Sequence, residues 1–215
     1  LNIQAIIFDM DGLLIDSEPY WERARAGYCT SQGCEWRAAD ELSVKGHNSI
    51  EWATVIRSRC SLSFSSELII SGVSDRVEEL YRAEVPLLPG ATDTVRDLAR
   101  LYPLAIASSS PPRLIEYAMK QAGLFDQFQV VVSADEVGKG KPNPEVFLEA
   151  ARRLGFQPAE VAVFEDSTAG IEASRRAQMF TVAVPNAHYP PTETALSGAN
   201  LVLESLREFV VTMLL

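Results

Sequence analysis

The first dozen residues set a pattern that the rest of the chain answers. Ala5-Ile6-Ile7-Phe8 is an unbroken apolar run that stops at Asp9-Met10-Asp11-Gly12. Apolar runs of this length without alternation belong to strands buried on both faces, as in parallel sheets. From Ser17 the period changes. Trp21, Ala24 and Tyr28 recur at helical spacing as far as Gly33, with Ser17 placed to cap and Pro19 in the first turn. Helical periodicity continues over 42–59 and 66–84, with Lys45-Gly46-His47-Asn48-Ser49 as a turn between helical pieces, and no strand is legible from Gly33 to about Val85. Pro86-Leu87-Leu88-Pro89-Gly90 then marks a boundary. Beyond it the pattern predicts strands over 104–107, 129–132, 161–164, 180–184 and 201–203. Between them it predicts helices over 92–101, 112–121, 144–154 and 167–177. Strands alternating with helices at this spacing mean an α/β fold whose parallel sheet is covered on both faces. The expected organisation is an α/β core made of residues 1–16 and 86–215, with a small all-helical segment, 17–85, inserted after the first strand.

Ligands of an open α/β sheet sit beyond the carboxyl ends of its strands, and several of these strands end in residues suited to chemistry. Asp9 and Asp11, two apart on an extended backbone, point to one side, and Gly12 lets the chain turn away without a side chain in the site. The second strand runs into Ser108-Ser109-Ser110 before a helix that opens with proline, and the fourth into Glu165-Asp166 before another helix. Lys141-Pro142 follows the third strand through Gly138-Lys139-Gly140. Singly, each has an ordinary reading: Asp-x-Asp as a solvated turn, Ser108 as a helix cap, Lys141 as an exposed loop lysine, Glu165-Asp166 as acid at a helix start. Together at one sheet edge they suit phosphoryl transfer. Asp9 is a carboxylate able to attack phosphorus and form an acyl-phosphate. Asp9 and Asp166, with a backbone carbonyl, make an all-oxygen site for Mg²⁺. Ser108 and Ser109, with the N–H groups of the following helix start, hold phosphate oxygens. Lys141 adds a point charge, and Asp11 protonates the leaving oxygen and then activates water.

Through Asp9-Met10-Asp11-Gly12, Ser108, Lys141-Pro142 and Glu165-Asp166 the chain resembles the haloacid dehalogenase superfamily over essentially its whole length. The resemblance is to the subgroup with a helical cap between the first two motifs. It implies a Rossmann-like three-layer core with a parallel sheet, Asp9 as nucleophile and Asp11 as acid/base. It also implies Mg²⁺ held by Asp9, the Asp11 carbonyl and Asp166, with Glu165 assisting at or near the metal. An aspartate at position 11 is the family's mark of phosphatases and phosphomutases, not of enzymes that cleave carbon–halogen bonds. Within the subgroup the chain looks like β-phosphoglucomutase-like proteins, especially phosphatases of hexose, deoxyhexose or hexitol phosphates, which Asp16-Ser17-Glu18-Pro19-Tyr20-Trp21 fits. It departs from the mutase twice: Trp21 stands where the mutase has a histidine, and Gly46-His47-Asn48-Ser49 lacks the mutase arginine. The resemblance therefore implies a Mg²⁺-dependent phosphomonoesterase acting on a sugar or polyol phosphate through an aspartyl-phosphate. A phosphosugar mutase is the enzyme alternative. A binding module on a dead phosphatase scaffold is the other, against which the intact motif set stands. Trp21 reads either as packing at the cap–core seam or as a substrate contact; His47 and Asn48 read either as turn residues or as substrate contacts.

Composition narrows the partners. A formal net charge of -10 argues against a nucleic-acid partner and demands local positive charge wherever an anionic substrate binds. No apolar run approaches the ~18 residues of a membrane span. Cys29, Cys34 and Cys60 lack metal-ligand spacing, and an odd count with no leader before the first strand reads as free thiols in a reducing, cytoplasmic compartment. The expected partner is a small-molecule phosphate ester, and the expected state is a monomer.

Overall fold

The computed structural model describes residues 2–44 and 47–214. Among them, β1 (Ala5–Phe8), β2 (Leu104–Ser108), β3 (Val130–Ser133), β4 (Val161–Glu165), β5 (Phe180–Ala183) and β6 (Leu201–Val202) form one sheet in the order β3-β2-β1-β4-β5-β6. Every neighbouring pair is parallel. Strand order runs outward from β1 in one direction through β2 and β3, and in the other through β4 to β6. The reversal lies between β1 and β4, where an open α/β sheet leaves a crevice beyond its carboxyl ends.

The unbroken apolar character of β1 follows from its position, since all four residues are fully buried. Ile6 and Phe8 pack with Val95, Leu98, Phe128 and Phe164 on one face. Ala5 and Ile7 pack with Phe147, Ala150 and Val163 on the other. Each such large side chain removed from water contributes about 1.5–3 kcal/mol.

The helices are α1 (Glu18–Ser31), α2 (Ala38–Ser43), α3 (Ser49–Arg59), α4 (Ser66–Ala83), α5 (Ala91–Ala99), α6 (Pro112–Gln121), α7 (Ala134–Val137), α8 (Glu145–Leu154), α9 (Thr168–Arg176) and α10 (Glu193–Leu196). α1 and α3 pack on α4, which also touches α6. The two chain segments flanking α1–α4 are tied together: Asp16 N–H donates to Pro86 O at 2.8 Å and Leu88 N–H to Leu14 O at 2.9 Å. At the other end, the Ser49 N–H donates to Asp135 Oδ1 at 2.8 Å, joining α3 to α7.

The separate helical pieces expected over 42–59 are present, and Asn48 starts the second, α3, with its side chain accepting from Glu51 N–H while Glu51 accepts from Asn48 N–H. Several expectations change. α2 begins earlier, at Ala38. Lys45 and Gly46, part of the expected turn, lie outside the described residues. The short helices α7 and α10 carry too few turns for a periodic signal. Ser17 precedes α1 without capping it by its side chain; its hydroxyl donates to Asp11 Oδ1 instead. The expected free thiols are corrected at two positions: Cys34 and Cys60 form a disulfide that joins the loop after α1 to the end of α3. Cys29 alone is free, and burial pushes its thiol up to about 11. No helix of the described residues is long and apolar enough to cross a membrane.

Candidate active site

The polar residues at the carboxyl edge meet in one pocket over β1 and β4. Asp9 leaves the sheet with its N–H donating to Phe164 O at 3.0 Å. The chain then turns at Gly12, whose φ of +85° belongs to the left-handed region. A Cβ there would stand 2.2 Å from Asp166 Oδ2. Glycine is thus required twice, by backbone conformation and by the carboxylate pressed against it. Asn186 donates to the Gly12 carbonyl at 3.1 Å and fixes the turn from the loop after β5.

Lys141 brings one positive charge into the site. Its Nζ donates to Asp9 Oδ1 and Glu165 Oε1, each at 2.6 Å, and to Ala107 O at 3.2 Å, and it lies 4.8 Å from the Phe147 ring centroid. All three ammonium donors are used, and the side chain is 4% exposed. Glu165 is saturated from the other side, its Oε2 accepting from the N–H groups of Asp166 and Ser167 at 2.8 Å and from Ser167 Oγ at 3.0 Å.

One ammonium does not balance this group. Asp9, Glu165 and Asp166 each place a carboxylate oxygen within 4.8 Å of the others, and all three are buried. Burial pushes the Asp9 carboxyl up to about 8; Lys141 pulls it down, while Glu165 and Asp11 add to the rise. Asp166 is held well above the usual carboxylate range by burial, then by Glu165 and Asp9. Burial disfavours the charge on Lys141, but Asp9 and Glu165 outweigh it and hold its pKa above that of an ordinary lysine. Three buried carboxylates facing one ammonium leave excess negative charge, and an all-oxygen donor set of this kind fits a hard divalent cation. With Glu165 occupied by four donors, Asp9 and Asp166 are the better placed ligands.

Asp11 occupies a second, hydroxyl-rich niche. Ser17 Oγ at 2.6 Å and Trp21 Nε1 at 3.0 Å donate to its Oδ1. Ser110 Oγ at 2.6 Å and Ser108 Oγ at 3.0 Å donate to its Oδ2. Ser108 is fully buried and also accepts from Ser110 N–H, so its hydroxyl sits beneath the pocket, while Ser109 and Ser110 line it. The opposite wall comes from the helical segment: Glu18, Trp21 and Arg25 of α1, with Val44, His47 and Trp52. Trp21 and Trp52 meet edge to face, with ring centroids 6.1 Å apart. Of the residues expected from sequence, Asp9, Asp11, Trp21, His47, Ser109, Lys141, Glu165 and Asp166 converge on this pocket. Asn48 does not: the α3 N-terminus holds its amide oxygen.

A haloacid dehalogenase-like hydrolase family model matches residues 3–178, which include every one of these sheet-edge groups. The chain belongs to that family. Hexitol phosphatase B of Escherichia coli (strain K12) is 33% identical over 219 aligned positions, covering 100% of this chain and 97% of the relative. Fructose-1-phosphate phosphatase YqaB of the same strain is 30% identical over 179 positions, covering 83% of this chain and 95% of the relative. A crystal structure of β-phosphoglucomutase from Clostridium difficile matches with a TM-score of 0.84 at 25% identity, over 99% of this chain and 95% of that one. The expected family, the α/β class and the phosphatase reading all stand on these relatives.

Within this haloacid dehalogenase-like site, sequence reasoning passed over Ser17, Arg25, Trp52 and Ser110. Ser110 had a signal, since three consecutive serines end a buried strand. Ser17 was legible only as a helix start, and Arg25 and Trp52 carry no motif; their place depends on how α1 and α3 lie over the sheet.

Proposed function

We propose that this chain is a Mg²⁺-dependent phosphomonoesterase that hydrolyses a small sugar or polyol phosphate through a phospho-Asp9 intermediate. The observation that carries the reading is the buried cluster of Asp9, Glu165 and Asp166 around Lys141, beside an Asp11 held by four donors. Asp9 and Asp166 would hold the metal, with the Asp11 carbonyl. When bound, it supplies charge neutralisation to the transferring phosphoryl group.

Lys141 fixes the orientation of Asp9 and shares the negative charge of an arriving phosphate. An Asp9 carboxylate oxygen attacks phosphorus as the ester P–O bond breaks, and Asp11 passes its proton to the leaving alkoxide. Asp11 then takes a proton from water as that water attacks the phosphorus of phospho-Asp9, releasing inorganic phosphate and the Asp9 carboxylate. The four donors fit Asp11 as a carboxylate, the form that takes a proton from water; to act as the acid it enters protonated, with a serine hydroxyl turned to accept from it. Ser108 and Ser110 act by positioning Asp11, whereas Ser109 faces the phosphate. Residues 17–85 act as a cap over a core of 1–16 and 86–215, hinged near Asp16 and Pro86-Gly90, and closure excludes bulk water.

The substrate class follows the relatives named for hexitol and fructose-1-phosphate. The protein acts as a monomer in the cytoplasm, where charged phosphate esters are retained, without nucleic-acid or membrane partners. The reducing poise there works against the Cys34–Cys60 bond.

Phosphate release from p-nitrophenyl phosphate tests the reading. Asp9→Asn is expected to abolish it in a protein with native circular dichroism, and EDTA is expected to stop the wild type until Mg²⁺ is restored. Retention of a tenth of the wild-type rate by Asp9→Asn would remove Asp9 as nucleophile, and indifference to chelator would remove the metal. Conversion of β-glucose-1-phosphate to glucose-6-phosphate without free phosphate would favour the mutase instead.

A further inference from the structure

One buried ion pair in the pocket wall takes no part in the chemistry above. Arg25 of α1 and Glu41 of α2 have side chains 8% and 3% exposed. Arg25 Nε donates to Glu41 Oε1 at 3.1 Å and Oε2 at 3.0 Å, and Nη2 donates to Oε1. Trp36 Nε1 donates to Glu41 Oε2 at 2.8 Å and pins the carboxylate from behind. The guanidinium carbon lies 5.2 Å from the Trp21 ring centroid, so the same indole that bonds Asp11 supports Arg25. These hydrogen bonds of Arg25 run from Nε and Nη2, and Arg25 lines the pocket. His47 lines it too, and its Nδ1 is buried without a partner among the described residues.

Among the described lining residues the lysines and arginines are Arg25 and Lys141. Lys141 is consumed by Asp9 and Glu165. Arg25 is matched in charge by Glu41, so it offers a fixed, polarised N–H donor with no net positive charge behind it. Such a donor recognises a hydroxyl or carbonyl oxygen. A second anion placed against it would meet Glu41 at close range in a poorly solvated wall, and like charges so placed are strongly disfavoured.

We propose that Arg25, held by Glu41, is a specificity-determining residue that selects phosphate monoesters whose far end is uncharged and hydroxylated and rejects those carrying a second anion there. The proposal rests on the phosphatase reading and adds the selection rule. Glucitol-6-phosphate and 6-phosphogluconate test it, because they share chain length and differ in a terminal CH₂OH against a carboxylate. The wild type is expected to show kcat/KM at least about tenfold higher for glucitol-6-phosphate, the scale on which buried polar complementarity discriminates. In Glu41→Gln, Arg25 regains net charge, and the ratio of the two values is expected to move at least about tenfold towards the carboxylate, chiefly through KM. The ratio is internal to each protein, so a lower fraction folded cancels from it, and the wild-type comparison needs no variant. Equal or better use of 6-phosphogluconate by the wild type, or an unchanged ratio in Glu41→Gln, would overturn the proposal. Absence of turnover on both esters and on p-nitrophenyl phosphate would sink the phosphatase reading itself, and this rule with it.

Discussion

Gly170→Ala is a substitution for which helix propensity and the site's geometry predict opposite signs. Gly170 lies in the first turn of α9, where replacing glycine by alanine in a helix is ordinarily favourable by up to about 1 kcal/mol. Its Cβ, however, would lie 1.7 Å from Glu165 Oε1 and 1.8 Å from the carboxyl carbon. A side-chain end can often swing clear of such a clash, but this one is 1% exposed and engaged by Lys141, two backbone N–H groups and Ser167 Oγ. Moving it separates a buried ion pair, which costs about 3–5 kcal/mol. With the propensity gain set against that, the variant should be less stable by about 2–4 kcal/mol. For a chain of this size each 1 kcal/mol shifts Tm by about 2–4 °C, so a fall near 10 °C is expected. Because Lys141 loses one of its three hydrogen-bond partners, kcat on p-nitrophenyl phosphate should fall as well. Thermal and urea unfolding, followed by circular dichroism at saturating Mg²⁺, give the first number, and steady-state phosphate release gives the second. A variant at least as stable as the wild type with undiminished kcat would refute the claim that Glu165 is locked where Gly170 makes room for it.

Lys141 and the disulfide give two more expectations. Lys141→Met keeps an unbranched side chain against Phe147 but leaves three buried carboxylates uncompensated; urea unfolding should show a loss of about 3–5 kcal/mol, and phosphate release should drop at least about 100-fold. In the oxidised protein, Cys34→Ser opens a link spanning 26 residues, and the chain-entropy treatment assigns about 3.5 kcal/mol to such a loop; a Tm that does not respond to this change or to dithiothreitol would show that the bond contributes nothing.

What the linear chain settled by itself is local or periodic. β1 was legible because a strand buried on both faces must be apolar throughout, and its end was legible because Asp9 and Asp11 interrupt that run. The helices α4, α6 and α8 declared themselves through sustained amphipathic spacing. Asp9, Lys141 and Asp166 were findable because each follows a strand of a parallel sheet, and such strands all point their carboxyl ends the same way. Packing decided the rest. Gly170 reads as a poor helix residue until Glu165 is seen lying against it. Ser17 reads as a helix cap until its hydroxyl is found on Asp11, and Cys34 and Cys60 read as spare thiols until α1 and α3 bring them together. Arg25 and Glu41 carry no motif at all, since their pairing depends on the angle at which one helix crosses another. Periodicity records which face of an element is buried; it does not record what that face meets, and substrate choice depends on what it meets.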